Sequence, residues 1–392
     1  MDKLRKGWEM KLLGEIATIS SGGTPNRKNE TYWKGSIPWV TTAEVKFNTI
    51  FDTAEKITED GLNNSSAKLF PVNTILMAMY GQGKTRGQVA KLGIEATTNQ
   101  ACAAIMLKDG YFVDFYYQYL MSKYDDIREM SNSGGQENLS ASIIKTIKVP
   151  VPPLPEQIKI AEILSAWDNA IQTTEKQIAN SQQQKKALMQ MLLSGEKRVG
   201  GFSGEWKKTK LADVFSKISN GLTYDTNLKS GLPVTRIETI STGKINLCKV
   251  GYAPDDENTK RFKLEKGDIL YSHINSLEHI GKVAYYNSDE ELYHGMNLLL
   301  LRVKSEFNSS FLYHMLNSEI GKKYAKSFAK SAVNQASIST SDIKLFSLYM
   351  PSFEEQQKIA EILTTADQEI ETLQKKLDCL KLEKRALMQK LL

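Results

Sequence analysis

The stretch Gln157-Ile-Lys-Ile-Ala-Glu-Ile-Leu164 returns as Gln356-Gln-Lys-Ile-Ala-Glu-Ile-Leu363. Further along, Lys185-Lys-Ala-Leu-Met-Gln-Met-Leu-Leu193 returns as Lys384-Arg-Ala-Leu-Met-Gln-Lys-Leu-Leu392, again 199 residues later, so the intervening segment has kept its length in both copies. Moving outward, Trp8-Glu-Met-Lys-Leu-Leu-Gly-Glu-Ile16 lies over Trp206-Lys-Lys-Thr-Lys-Leu-Ala-Asp-Val214 at an offset of 198. An internal repeat has to be recognised before any motif is interpreted. Here it divides the chain into two similar halves.

Within the repeated segment, apolar residues fall at Ile160, Leu164, Trp167, Ile171, Ile178, Leu188 and Leu192, with Thr174, Ser181 and Lys185 interrupting. The second copy carries Ile359, Leu363, Ala366, Ile370, Leu373, Leu377, Leu380, Leu387 and Leu391. A stripe repeating about every 3.5 residues calls for a partner helix, and each copy is the other's obvious partner. Pro155 suits a first helical turn, Ser352 with Glu355 has capping-box spacing, and Ser194-Gly195 supplies a stop. About 40 residues at about 1.5 Å each give a rod of roughly 60 Å. Antiparallel pairing would put one globular head at each end and create a pseudo-twofold axis; the stripe alone leaves parallel pairing open. The expected fold is α+β: two repeated α/β domains joined by two long antiparallel helices. The expected boundaries are a head over 1–153, a helix over 154–193, a linker over 194–205, a second head over 206–350 and a helix over 351–392.

The heads match in pattern more than in identity. Thr74-Ile-Leu-Met-Ala78 corresponds to Asp268-Ile-Leu-Tyr-Ser272, a short buried strand in each. Phe115-Tyr-Tyr-Gln-Tyr-Leu-Met121 corresponds to Phe311-Leu-Tyr-His-Met-Leu-Asn317, an apolar helix in each. Between these elements the sequences diverge, as expected of two modules with one scaffold and two ligands. At 392 residues and 41% hydrophobic, the chain is long enough for two cores. The formal charge of +6 divides as +2 over 1–153 and +5 over 206–350, against 0 and −1 over 154–205 and 351–392. That excess permits phosphate binding without demanding it. Three scattered cysteines suggest neither a disulfide framework nor a zinc site. No run approaches a membrane span, so a cytoplasmic protein without a membrane partner is expected.

The linker Arg198-Val-Gly-Gly-Phe-Ser-Gly-Glu-Trp206, the Pro150-Val-Pro-Pro-Leu-Pro-Glu-Gln157 approach to a helix, the duplicated Gln-x-Lys-Ile-Ala-Glu-Ile-Leu, and Ile75-Leu-Met-Ala-Met-Tyr-Gly-Gln-Gly-Lys-Thr-Arg-Gly87 together resemble the specificity subunits of type I restriction-modification enzymes. The resemblance covers essentially the whole chain. It implies a non-catalytic protein in which each head is a target-recognition domain reading one half of a split double-stranded DNA site. The helices would then set the unspecified gap and dock two methyltransferase subunits. It also implies restriction/translocase partners, with S-adenosylmethionine, ATP and Mg²⁺ confined to partner subunits and no cofactor or metal in this chain.

Two other classes remain open on the residues alone. A coiled-coil adaptor would explain the helices without nucleic acid. A P-loop NTPase would explain Ala78-Met-Tyr-Gly-Gln-Gly-Lys-Thr85, but glycines follow where a phosphate-cradling helix should begin, and the second head offers His273-Ile-Asn-Ser276 in place of such a loop. DNA-reading residues should be polar, in loops, and in the parts that differ between heads. These criteria select Arg27, Lys28, Asn29, Gln82, Lys84, Thr85 and Arg86 in the first head, and Tyr224, Arg236, His273, Asn275 and Ser276 in the second. The alternative for each is a solvated surface residue. The four histidines, all in the second head, have no metal-site spacing.

Overall fold

The computed structural model describes residues 5–81, 84–130, 138–332 and 335–392. The chain forms two compact units, one comprising Met1–Glu175 with Lys376–Leu392, the other Lys176–Lys375. Each unit therefore holds one head and the adjoining parts of both long helices.

In the first unit the order is β1 (Glu9–Leu12), α1 (Leu13–Ile16), β2 (Ala17–Ser21), β3 (Trp33–Val40), β4 (Thr49–Ile50), β5 (Glu55–Ile57), α2 (Glu59–Asn63), β6 (Ile75–Ala78), β7 (Val89–Leu92), β8 (Thr97–Thr98) and β9 (Cys102–Leu107). Then come α3 (Val113–Ser122), α4 (Tyr124–Met130), α5 (Ala141–Lys145), β10 (Lys148–Val151) and the long α6 (Leu154–Leu193). The second head runs β11 (Lys207–Lys210), α7 (Leu211–Val214), β12 (Phe215–Asn220), β13 (Leu232–Val234), β14 (Gly251–Ala253), α8 (Glu257–Lys260), β15 (Ile269–Tyr271), β16 (Ile274–Asn275), β17 (Val283–Tyr285) and β18 (Leu299–Val303). It closes with α9 (Ser309–Asn317), α10 (Glu319–Phe328), β19 (Lys330–Ala332), β20 (Gln335–Ser337), α11 (Thr340–Leu345), β21 (Ser347–Met350) and the long α12 (Phe353–Leu391).

The two main sheets share an order. The first is β2-β9-β6-β7-β4 and the second β12-β18-β15-β17, so β6 and β15 are the same central strand in two copies. These apolar runs carry a period of two with both faces buried. Ile75 and Met77 face the helices while Leu76 and Ala78 face a separate cluster around Val40 and Phe70. Ile269 and Tyr271 likewise face the helices, with Leu270 on the opposite cluster. Among the described residues the margins carry β5-β3-β8 in the first head, and β13-β14 and β16-β20-β19 in the second.

The long helices run antiparallel within each unit. Asp168 pairs with Lys384 at 2.6 Å and Glu175 with Lys381 at 2.8 Å in the first. Ser181 meets Glu369 at 3.0 Å and Lys185 meets Asp367 at 2.5 Å in the second. The interruptions in the apolar stripe are thus interior polar positions with partners. The ends of the stripe serve the heads instead: Ile160 and Leu164 join the first core with Leu387 and Leu391, and Ile359 and Leu363 join the second with Leu188 and Leu192. Each buried side chain of this kind contributes about 1.5–3 kcal/mol. The capping box expected at Ser352 is only half present. Ser352 Oγ accepts from Glu355 N at 3.4 Å, but the Glu355 carboxylate is taken by Arg198 at 2.6 and 2.7 Å.

Candidate nucleic-acid interface

Each central strand leaves its sheet through a nine-residue loop, Met79–Gly87 in the first head and His273–Gly281 in the second. The loops close identically. Gly87 N donates to Ala78 O and Gly281 N to Ser272 O, both at 2.8 Å, while Ala78 N reaches Gln88 O and Ser272 N reaches Lys282 O. Gly87 and Gly281 hold φ of +85° and +78°, a region glycine enters without a Cβ penalty. A returning segment braces each loop from below, with Leu139 N on Met79 O at 3.0 Å and Ile338 N on His273 O at 2.9 Å. The expectation that the second head lacks a counterpart loop is therefore corrected: the loop is there, with other side chains. Its equivalence is hidden because, at the 194-residue offset of the adjoining strands, Gly87 and Gly281 are the one identical pair in the two loops.

The same geometry removes the nucleotide-binding reading. After Thr85 the chain turns into β7, so no helix N-terminus stands behind Gly81-Gln-Gly-Lys-Thr85 to hold phosphates. Among the described residues no cluster of His, Cys, Asp and Glu could hold a metal ion, and no helix is long and apolar enough to cross a membrane.

The loops gather six of the selected residues. Lys84 is exposed, and Thr85 and Arg86 are half-buried; in the second loop Ser276 is exposed and Asn275 half-buried, its amide donating to Ser272 Oγ at 3.1 Å. His273 is a correction: it lies inside, where burial lowers its pKa and its Nδ1 has no hydrogen-bond partner among the described residues. Gln82 lies outside the described residues.

Others do not join the loops. Arg27 is committed internally, paired through both guanidinium nitrogens with Glu55 and lying 3.9 Å over the Trp33 ring and 4.7 Å over Trp39. That hydrogen-bonded pair raises the Arg27 pKa and lowers that of Glu55. Asn29 caps a short turn, accepting from Thr31 N and Oγ1 at 3.2 and 2.8 Å, and Lys28 is exposed beside an Arg27 that is itself about half exposed. Tyr224 is a second correction. Its ring is core, packed with Leu222, Val234, Ala253 and Tyr293, and burial raises its pKa. Arg236 pairs with Glu238 at 3.5 Å.

The profile of the type I restriction modification DNA specificity domain matches this chain twice, over residues 5–181 and 203–382. The chain belongs to that family. A putative type I restriction enzyme MjaX specificity subunit of Methanocaldococcus jannaschii is 44% identical over 198 residues, 49% of this chain and 47% of that protein. The MjaVIII specificity subunit of the same organism is 25% identical over 100% of this chain and 93% of its own length. The chain thus spans about half the length of the first relative and nearly all of the second. The type I restriction-modification S subunit of M. genitalium has the same fold, with a TM-score of 0.67 at 18% identity over 99% of this chain and 97% of that one.

In this member of the family two signals of the loops escaped the sequence reading. One is the Gly87/Gly281 pair. The other is Gln136-Glu-Asn-Leu-Ser140 over Gln335-Ala-Ser-Ile-Ser339, at the familiar offset of 199, which contains the bracing Leu139 and Ile338. The glycines also give a prediction. A Cβ on Gly281 would lie 2.4 Å from Ala325 Cβ, whereas one on Gly87 would lie 3.0 Å from the flexible Arg128 Cγ. Gly281→Ala should cost about 2–4 kcal/mol and Gly87→Ala about 1, by urea unfolding, because only the former adds overpacking to the positive-φ penalty. Equal costs would place the strain in the backbone alone.

Proposed function

We propose that this chain is the sequence-reading subunit of a type I restriction-modification system and performs no chemistry itself. The observation that carries the reading is the duplicated loop: two segments closed by the same hydrogen bonds carry Lys84, Thr85 and Arg86 in one head and Asn275 and Ser276 in the other. Arginine and asparagine can contact base edges with two hydrogen bonds, and lysine suits phosphate. Each head reads one half of a bipartite duplex site, and the paired helices fix the unspecified gap. In the cytoplasm it works with two methyltransferase subunits and with restriction/translocase subunits, which bring S-adenosylmethionine, ATP and Mg²⁺.

Mapping methylated sites in a host that carries this chain with its partner subunits tests the proposal. A two-part motif with a fixed gap is the expected result. Arg86→Ala should relax one half and spare the other, at about 1–3 kcal/mol for a base pair read through two bonds. A coiled-coil adaptor predicts no duplex binding and no altered motif.

A further inference from the structure

The Met79–Gly87 loop is held from outside by α4. Tyr124 Oη donates to the Lys84 carbonyl, and Arg128 Nη1 donates to Tyr124 Oη at 3.1 Å with its guanidinium 5.4 Å from the Tyr124 ring centroid. Phe47 meets the Tyr124 ring edge-on at 5.2 Å, and Gly87 packs against Arg128 and Tyr124. Phe47 itself is held at φ +57° by a 2.8 Å hydrogen bond from its N–H to Val89 O. A bulky residue in that region costs free energy, so surrounding packing must hold it there. Among the described residues the second head shows no such clamp. At the corresponding turns α10 carries Ile320 and Tyr324, which pack into its core, and the loop is stiffened by pairing Ile274 with Ser337 and Asn275 with Ala336.

We propose that Tyr124 and Arg128 are specificity-determining positioning residues of the first head. They act through the Lys84 carbonyl, which orients the peptide carrying Thr85 and Arg86. An exposed turn otherwise samples many backbone states, and a bond fixing one carbonyl removes much of that freedom before the ligand arrives. Specificity in this head is then written partly on α4, outside the loop. The inference rests on reading the loop as the DNA-contacting element.

Tyr124→Phe keeps the ring and deletes the hydroxyl. In the assembled complex it should lower discrimination at the first half-site about fivefold, the worth of one hydrogen bond, while the second half-site is read as before. Arg128→Lys keeps the charge and should lose less. The independent measurement is hydrogen exchange in the DNA-free chain: amides of residues 84–87 should exchange faster in Tyr124→Phe, with the β6–β9 amides unchanged. Unchanged exchange and unchanged discrimination would overturn the clamp. Equal weakening on all DNA would also overturn it, making α4 a phosphate contact. Faster exchange without any change in half-site choice would retain the clamp but remove its role in specificity, and with it the reading of this loop as the base reader.

Discussion

Between pH 7 and pH 4 the second unit of the chain should lose several kcal/mol of stability that the first unit keeps. The cause is two imidazoles folded into apolar surroundings. His294 is buried, its Nε2 against the Leu298 carbonyl at 2.9 Å, and burial pulls its pKa from 6.5 to about 4. His314 is buried on α9, its Nε2 3.3 Å from Thr364 Oγ1, and burial with the nearby Lys185 charge also holds it to about 4. Below pH 6.5 the unfolded chain binds protons at these sites that the folded chain refuses until about pH 4. Stability therefore falls as pH falls through that window, and levels off below it. At 1.36 kcal/mol per pH unit, each group contributes roughly 3 kcal/mol, and His273 adds in the same direction. All four histidines lie in the second head, so the first head is a built-in control. Proteolysis at pH 4.5 and 7, read by mass spectrometry, should cut the second unit selectively at the lower pH. His314→Gln should remove about half of the sensitivity, because glutamine is the residue the repeat places there in the first head, where Gln118 donates to Asp168 at 2.6 Å. Equal acid lability of both units, or an unchanged curve for His314→Gln, would refute the assignment.

The parts of the fold that were legible in the sequence share one property: their signal is periodic and repeated. The helix α6 spans the expected 154–193, and α12 begins two residues after the expected 351, because apolar spacing over 40 residues outweighs local ambiguity. The central strands were legible for the same reason. The loops were legible as divergent polar segments, but not as equivalents, since at the strands' offset of 194 residues they share only their closing glycines, Gly87 and Gly281. Side-chain roles were least legible. Arg27 is a lone basic residue in one dimension; only the fold brings Glu55, Trp33 and Trp39 around its half-exposed side chain. Tyr224 looks like an exposed aromatic; the small Gly251 and Gly295 let its ring lie in the core. Glu355 looked like half of a capping box, and a stronger partner, Arg198, reaches it from a distant part of the chain.

The charged residues set into the helix seam should behave asymmetrically when removed. Lys384 is only 9% exposed at its side chain, and Asp168 beside it 30%. The repeat reproduces the arrangement with Lys185 at 13% and Asp367 at 31%. Asp168→Asn strands a buried ammonium and should cost about 2–4 kcal/mol. Lys384→Met should cost less, about 1–2, since the carboxylate left behind is partly solvated and keeps its Gln118 hydrogen bond. The triple variant Asp168→Leu, Lys384→Met and Gln118→Leu removes both charges together with the buried amide that Asp168 satisfies, and should be close to wild type in a urea titration because desolvation cancels much of the Coulomb gain. Its loss should show in register instead. A slip of one heptad, about seven residues, sets Asp168 against Leu377 or Leu391, and burying that charge against leucine forbids the slip only while the charge exists. Disulfide trapping between cysteines placed on α6 and α12 should yield one register in the wild type and a mixture in a variant with both pairs made apolar. A triple variant as unstable as Asp168→Asn would show that the pair contributes net stability, and a single register after both pairs are removed would show that the leucine stripe aligns the helices unaided.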